Sequence, residues 1–292
     1  MGPTASGKST LAENLAKRFS AILINADAFQ VYRGFDVGTN KPSDRSQYHL
    51  IDICDPAEEF GVGAWIRLVV PLLSQAFADQ RDVVIVGGTG YYIRALMEEF
   101  KDLHESPSQD LRQSLMRREE QEGAGSLRHE LIRLNPESAA QIDLQNPVRV
   151  RRALEKLLSQ GSPLHFKLPE FEKFKIGLRW QKEELRRRIE ERTQAMLDPW
   201  AEEVEQILTS GVPASAPAWR AIGYQSVADW VNGLGTRSDA CEAIVKETWQ
   251  YSKRQGTWLR KEPYLQWVDL NEGNHNRILS GDAWTVDWTA GK

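Results

Sequence analysis

Gly2-Pro3-Thr4-Ala5-Ser6-Gly7-Lys8-Ser9 fits the pattern G-x-x-x-x-G-K-[ST] at every fixed position, with only Met1 ahead of it. These residue types at this spacing make a phosphate-binding loop. Glycines let consecutive backbone N–H groups converge on phosphate oxygens, Lys8 adds a mobile positive charge, and the Ser9 hydroxyl is placed to hold Mg²⁺. Leu11, Ala12, Leu15, Ala16 and Phe19 follow at helical spacing. The loop therefore feeds a helix N-terminus, whose dipole adds to anion binding. Such a loop ordinarily hangs from a buried parallel strand, and Met1 alone supplies none. The first core strand is expected to be missing, leaving a slot lined by unpaired strand edges and apolar side chains.

Working outward, β-like runs stand at residues 21–25 (AILIN), 50–54 (LIDIC) and 82–86 (DVVIV), separated by helical or loop sequence. That order predicts βαβ units and a parallel sheet. The expected fold is α/β, a P-loop NTPase-like parallel-sheet core with a helical insertion and a helical C-terminal region. The phosphate loop, Asp27 beyond AILIN, and Gly87-Gly88-Thr89-Gly90 beyond DVVIV should all face one cleft, because ligands of open α/β sheets lie outside the carboxyl ends of the strands. Residues 1–104 are expected to form the first part of the core and 105–170 the helical insertion. A β-like run at 174–180 then returns the chain to the core within residues 171–292. Leu185, Ile189 and Met196 mark a helix ending near Pro199, and Ile244, Thr248, Tyr251 and Trp258 mark another.

Of the 292 residues, 41% are hydrophobic and 27% charged, the balance of a globular protein. No apolar run is long enough to span a bilayer and no signal-peptide pattern precedes the loop, so no membrane partner is expected. Two distant cysteines, Cys54 and Cys241, have no metal-ligand or redox spacing, which suits a reducing, cytoplasmic compartment. Thirty-seven basic against 41 acidic residues give a net charge of −4. Overall charge thus speaks mildly against a nucleic-acid partner, and local distribution has to decide.

Asp27 admits two readings. A carboxylate after a strand beside a phosphate loop helps hold Mg²⁺ in many nucleotide kinases. Alternatively, nearby phosphate charge makes it less acidic and fits it to accept a proton from a substrate nucleophile. Its surroundings tip the choice. Gly2-Pro3-Thr4-Ala5-Ser6-Gly7-Lys8, Asp27-x-x-Gln30-Val31-Tyr32 and Gly34-Phe35-Asp36-Val37-Gly38-Thr39-Asn40-Lys41-Pro42 together resemble the tRNA dimethylallyltransferase (tRNA isopentenyltransferase) family. The resemblance continues through His49-Leu50-Ile51-Asp52-Ile53, Gly87-Gly88-Thr89-Gly90-Tyr91-Tyr92 and Asn146-Pro147-Val148-Arg149-Val150-x-Arg152-Ala153-Leu154-Glu155. Ala221-Ile222-Gly223-Tyr224 and Lys253-Arg254-Gln255-x-Thr257-Trp258 complete it.

The resemblance implies transfer of a dimethylallyl group from dimethylallyl diphosphate to N6 of adenine 37, beside the tRNA anticodon. Residues Gly2, Pro3, Thr4, Ala5, Ser6, Gly7, Lys8 and Ser9 would hold the diphosphate, with Mg²⁺ at Ser9. Asp27, Thr89 and Arg220 would be catalytic, Asp27 as the base. The adenine must be extruded from its stack into such a cleft. Asp27, Ala28, Phe29, Gln30 and Thr89 would meet the extruded nucleotide. Arg112, Val148, Arg149, Val150, Arg151, Arg152, Lys253, Arg254 and Gln255 would hold the rest of the tRNA, with Arg260 and Lys261 extending the second basic cluster. The chain is expected to act as a monomer.

Three positions depart from the family pattern. Ala28 replaces a serine, Gln225 a basic residue and Trp249 an arginine. The last two remove charges that would meet phosphate, although Trp249 offers a stacking surface. The alternatives are an ATP-dependent small-molecule or nucleoside kinase, an adenylate isopentenyltransferase acting on free AMP, ADP or ATP, and a non-catalytic RNA-binding protein on the same scaffold. The helical insertion and the C-terminal basic helix favour the larger tRNA acceptor.

Overall fold

The computed structural model describes residues 1–98, 109–159 and 164–281. The phosphate loop leads into α1 (Lys8–Phe19), capped by Gly7 at φ 86°, a left-handed backbone that a side chain would strain. Then come β1 (Ile22–Asn25), β2 (Tyr48–His49), α2 (Val62–Ala78), β3 (Val83–Val86) and α3 (Gly90–Met97). The helices α4 (Gln109–Glu122), α5 (Ala124–Leu134), α6 (Pro136–Ala140) and α7 (Pro147–Leu158) follow. The chain continues through β4 (Lys175–Trp180), α8 (Lys182–Thr209), a 3-10 turn at Pro217–Arg220, α9 (Tyr224–Val231), α10 (Arg237–Leu259), β5 (Leu265–Leu270) and α11 (His275–Leu279).

Within the described residues the chain divides into two compact units. One takes residues 1–60, 65–98 and 167–281, the other 61–64, 109–159 and 164–166. The second is helical with its own core of Leu115, Leu127, Leu131, Val150 and Leu154. It ends at residue 166, four residues before the expected boundary, and the boundary expected at 104/105 lies outside the described residues.

The first unit carries two parallel sheets in place of one. β1 is central in the order β2-β1-β3, with Ile22 opposite Val83 and Asn25 opposite Val86. β4 pairs with β5, Lys175 opposite Leu265 through Trp180 opposite Leu270. No strand precedes the loop among the described residues. Met1 pairs with β4 through its backbone, its amine donating to Ile176 O (2.6 Å) and its carbonyl accepting from Leu178 N (3.0 Å). All four residues of β1 are buried, whereas Val83, Val84 and Ile85 of β3 stay half-buried on a sheet edge.

Two expectations are corrected. Residues 50–54 form no strand: Leu50 and Asp52 adopt φ of 67° and 55°, and Cys54 makes a lone bridge to Tyr32. The segment turns because Asp52 is drawn to Lys41 (2.5 Å) and Arg45 (2.6 Å), both of which also bind Asp36. Similarly, α8 does not end near Pro199 but runs on to Thr209. Leu197, Trp200, Val204 and Ile207 are buried in the core beside it. At roughly 1.5–3 kcal/mol for each buried side chain, their packing outweighs the ~3 kcal/mol cost of an interior proline.

Candidate active site

At the carboxyl ends of β1 and β3, a polar cleft of about 60 Å³ is lined by Thr4, Lys8, Ser9, Asn25, Asp27, Gln30, Thr39, Asn40, Tyr48, Gly87, Gly88, Arg192, Tyr251 and Gln255. Sequence reading placed Thr4, Lys8, Ser9, Asp27 and Gln30 at such a site, and the fold brings them together, with Gln255, expected to hold the tRNA outside it, joining the lining. The first N–H groups of α1 are those a helix leaves without an intrahelical carbonyl, so they are available to an anion. Burial brings the Lys8 ammonium down to about 8, against the opposing pull of the Asp27 carboxylate.

The loop is held from three sides. Gln255 accepts from Thr4 N (2.8 Å), the Trp180 indole donates to Ser6 O (3.2 Å), and Arg188 donates to Ala5 O (3.1 Å). Arg192, one turn beyond Arg188 on α8, donates to Thr4 Oγ1 (3.0 Å). Burial, with the like charge of Arg188 adding to it, lowers Arg192 to about 10. Sequence reading missed both arginines. The available signal was an Arg-x-x-x-Arg pair bordering the apolar stripe of Leu185 and Ile189.

Asp27 is fixed by its own backbone environment. Its N–H donates to Asn25 Oδ1 (3.1 Å), while its Oδ1 accepts from Phe29 N (2.9 Å) and Gln30 N (3.4 Å). These bonds leave Oδ2 for a ligand. Thr89 Oγ1 accepts from Ala28 N (3.2 Å), tying the turn after β3 to the turn after β1. At Gly90 a Cβ would stand 1.6 Å from the Trp258 ring, so only glycine lets α3 meet α10 there. The Gln30 amide donates to Thr39 O (3.1 Å) and Asn40 O (3.0 Å), holding the loop that carries those residues into the cleft. Glu203 braces the same loop, accepting from Asp36 N (2.8 Å), Val37 N (2.6 Å) and Tyr224 Oη (2.6 Å).

Other expected residues take different roles or places. Gln255 is buried, with its Nε2 donating to Gly88 O (2.9 Å), so both ends of its amide staple backbone. Arg220 is outside the cleft lining and pairs with Glu59 (2.9 Å). In the helical unit, Val150 is buried in the core, Arg112 pairs with Glu155 (3.2 Å) and Arg151 with Glu119. Packing and pairing thus occupy three residues expected to contact tRNA. Val148, Arg149 and Arg152 are exposed, as are Lys253 and Arg254 of α10. The last two share a shallow, solvent-open hollow with Lys261 and Trp258. Among the described residues no His/Cys/Asp/Glu group suited to a metal ion occurs, and no helix is long and apolar enough to cross a membrane.

A phosphate loop, a carboxylate and a Gly-Gly-Thr-Gly turn converging at the ends of parallel strands define a P-loop-type α/β protein with an anion-binding cleft. The chain belongs to the IPP transferase family, whose sequence profile matches residues 30–262. It is 36% identical to tRNA dimethylallyltransferase 2 of Geotalea uraniireducens (strain Rf4), covering 93% of this chain and 91% of that protein. To a tRNA dimethylallyltransferase of Symbiobacterium thermophilum it is 38% identical, over 92% and 88% respectively. The crystal structure of a full-length tRNA isopentenylpyrophosphate transferase from Bacillus halodurans superimposes with a TM-score of 0.66 at 32% identity, over 95% and 91% of the two chains.

Proposed function

We propose that this chain transfers the dimethylallyl group of dimethylallyl diphosphate to N6 of adenine 37 in the tRNA anticodon loop, acting as a cytoplasmic monomer. One observation carries the reading: the phosphate loop, the free Oδ2 of Asp27 and the turn at Gly88 and Thr89 share one cleft, and α10, which lines it, also bears Lys253 and Arg254 in solvent. The loop N–H groups, Lys8 and Arg192 bind the diphosphate and stabilise the charge that grows on it as the allylic C–O bond breaks. The N6 lone pair forms the new bond to the allylic carbon, the C–O electron pair leaves with the diphosphate, and Asp27 takes the N6 proton. Thr89 orients the nucleotide beside Asp27. Ser9, an oxygen donor at the loop, suits Mg²⁺, which prefers oxygen ligands shared with phosphate. Bound there, the ion would neutralise leaving-group charge. Free Cys54 and Cys241 suit a reducing compartment.

Purified protein is incubated with labelled dimethylallyl diphosphate and, separately, tRNA, AMP or no acceptor. Label entering tRNA alone is expected. Label entering AMP instead, or ATP hydrolysis without prenyl transfer, overturns the reading.

A further inference from the structure

Tyr251 of α10 lines the cleft beside Asp27 and Gly88, and the transfer step leaves its hydroxyl unused. Its Oη stands 3.4 Å from Gly88 O, a carbonyl already taken by Gln255 Nε2 at 2.9 Å, so the phenol proton is held only weakly there. The Thr89 hydroxyl and the Gln255 amide approach the phenol oxygen as donors. Gln255 can face it only in that sense, because its Oε1 accepts from Thr4 N. A phenol has one hydrogen to give, and with donors facing its oxygen that hydrogen is what Tyr251 offers a ligand. Burial, with the Asp27 carboxylate adding to it, pushes the phenol above its ordinary value, so it stays protonated at neutral pH. Over Gly88, Tyr251 Oη and Asp27 Oδ2 face one point: a Cβ on that glycine would stand 3.6 Å from each. The cleft thus sets a proton donor beside a proton acceptor.

We propose that Tyr251 is a specificity-determining donor that binds the ring nitrogen flanking the amino group of the acceptor base, while Asp27 Oδ2 takes the amino hydrogen. This rests on the reading that the acceptor is adenine. On that base the N6 amino group is a donor with a ring-nitrogen acceptor on either side, N1 and N7, so an adjacent acceptor and donor on the protein match it. Guanine and hypoxanthine carry a carbonyl oxygen where the amine stands, which turns an acceptor toward the Asp27 carboxylate and leaves both without a hydrogen to share. Thr89 reaches the nucleotide through the phenol. Its Oγ1 accepts from Ala28 N beside Asp27 and its hydrogen is directed to Tyr251, so the turn after β1, the turn after β3 and α10 are oriented together.

The test uses the full chain and its Tyr251→Phe variant, which keeps the ring beneath Arg254 (5.8 Å to its centroid) and removes only the hydroxyl. Acceptors are anticodon stem-loop RNAs with adenosine, 1-deazaadenosine or 7-deazaadenosine at position 37. On adenosine, Tyr251→Phe is expected to lose about tenfold in kcat/KM for the RNA, the size of one hydrogen bond in a desolvated site, with donor KM unchanged. For one of the two analogues, the penalty relative to adenosine should be about tenfold larger in wild type than in Tyr251→Phe, because the variant has already lost that bond. The electronic effect of a deaza base on N6 is common to both proteins and cancels in this comparison. Which analogue shows the coupling identifies the nitrogen. Tyr251→Phe equal to wild type on adenosine, or penalised by each analogue as much as wild type is, overturns the assignment while leaving transfer to adenine in place. No transfer to the adenosine RNA by wild type overturns the adenine reading and the assignment together.

Discussion

α10 holds its polar residues on opposite terms along two faces. Toward the core, Gln255 and Ser252 are buried, and the Gln255 amide binds Thr4 N and Gly88 O at 2.8 and 2.9 Å. Toward solvent, Lys253 and Arg254 carry full charges beside aromatic rings, Lys253 over Trp249 and Arg254 over Tyr251. A buried polar group must have fixed partners, because an unpaired one costs its full desolvation. An exposed cation needs none, and it interacts with any phosphate that comes near, in a salt-dependent way. The same helix thus sets the shape of the cleft on one side and offers mobile charge on the other.

The largest expected effect separates chemistry from both faces. Asp27→Asn keeps the hydrogen bonds to Phe29 and Gln30 but removes the base, and single-turnover kcat should fall by about 10²–10⁴ with donor affinity little changed. Near-full turnover would remove Asp27 from the base role, and a large loss of Mg²⁺ affinity would make it a metal ligand.

The buried face comes next. Gln255→Leu leaves Thr4 N–H and Gly88 C=O unpaired, at about 1–3 kcal/mol each. Calorimetry should show a lowered Tm, and the donor KM should rise, while the salt dependence of tRNA binding stays as it was. A reduced salt slope would instead place Gln255 against the tRNA. Lys8 gives a pH signature. An ammonium binds diphosphate when charged, that is, below its value of about 8, so kcat/KM for the donor should decline about tenfold per unit above pH 8. In Lys8→Arg the decline should move to higher pH, because a guanidinium stays charged.

Smallest are the solvent-facing charges. Lys253→Ala, Arg254→Ala and Arg149→Ala should each lower the slope of log K against log salt for tRNA by about one, with donor affinity constant. Arg112→Ala should leave that slope alone, since its guanidinium is committed to Glu155. Equal slopes for Arg149→Ala and wild type would make Arg149 a solvated surface charge.

By itself, the sequence determined those features whose cause lies within a few neighbouring residues. The phosphate loop, the helix after it, the AILIN and DVVIV strands and Asp27 at a strand end are all local patterns of glycine placement and side-chain period, and the chain adopts them where expected. The helical insertion was legible from its charged, helix-favouring run. Tertiary structure decided the rest, because pairing and burial join residues far apart in the chain. It turned LIDIC into turns around Lys41 and Arg45, and carried α8 through Pro199 on the burial of Trp200 and Val204. It brought Arg188 and Arg192 to a loop more than 180 residues away, and removed Gln255, Val150 and Arg112 from the solvent-facing set. A motif states which side chains are present; only the packed fold assigns each donor its acceptor, and that assignment decides whether a polar residue builds the site or meets the substrate.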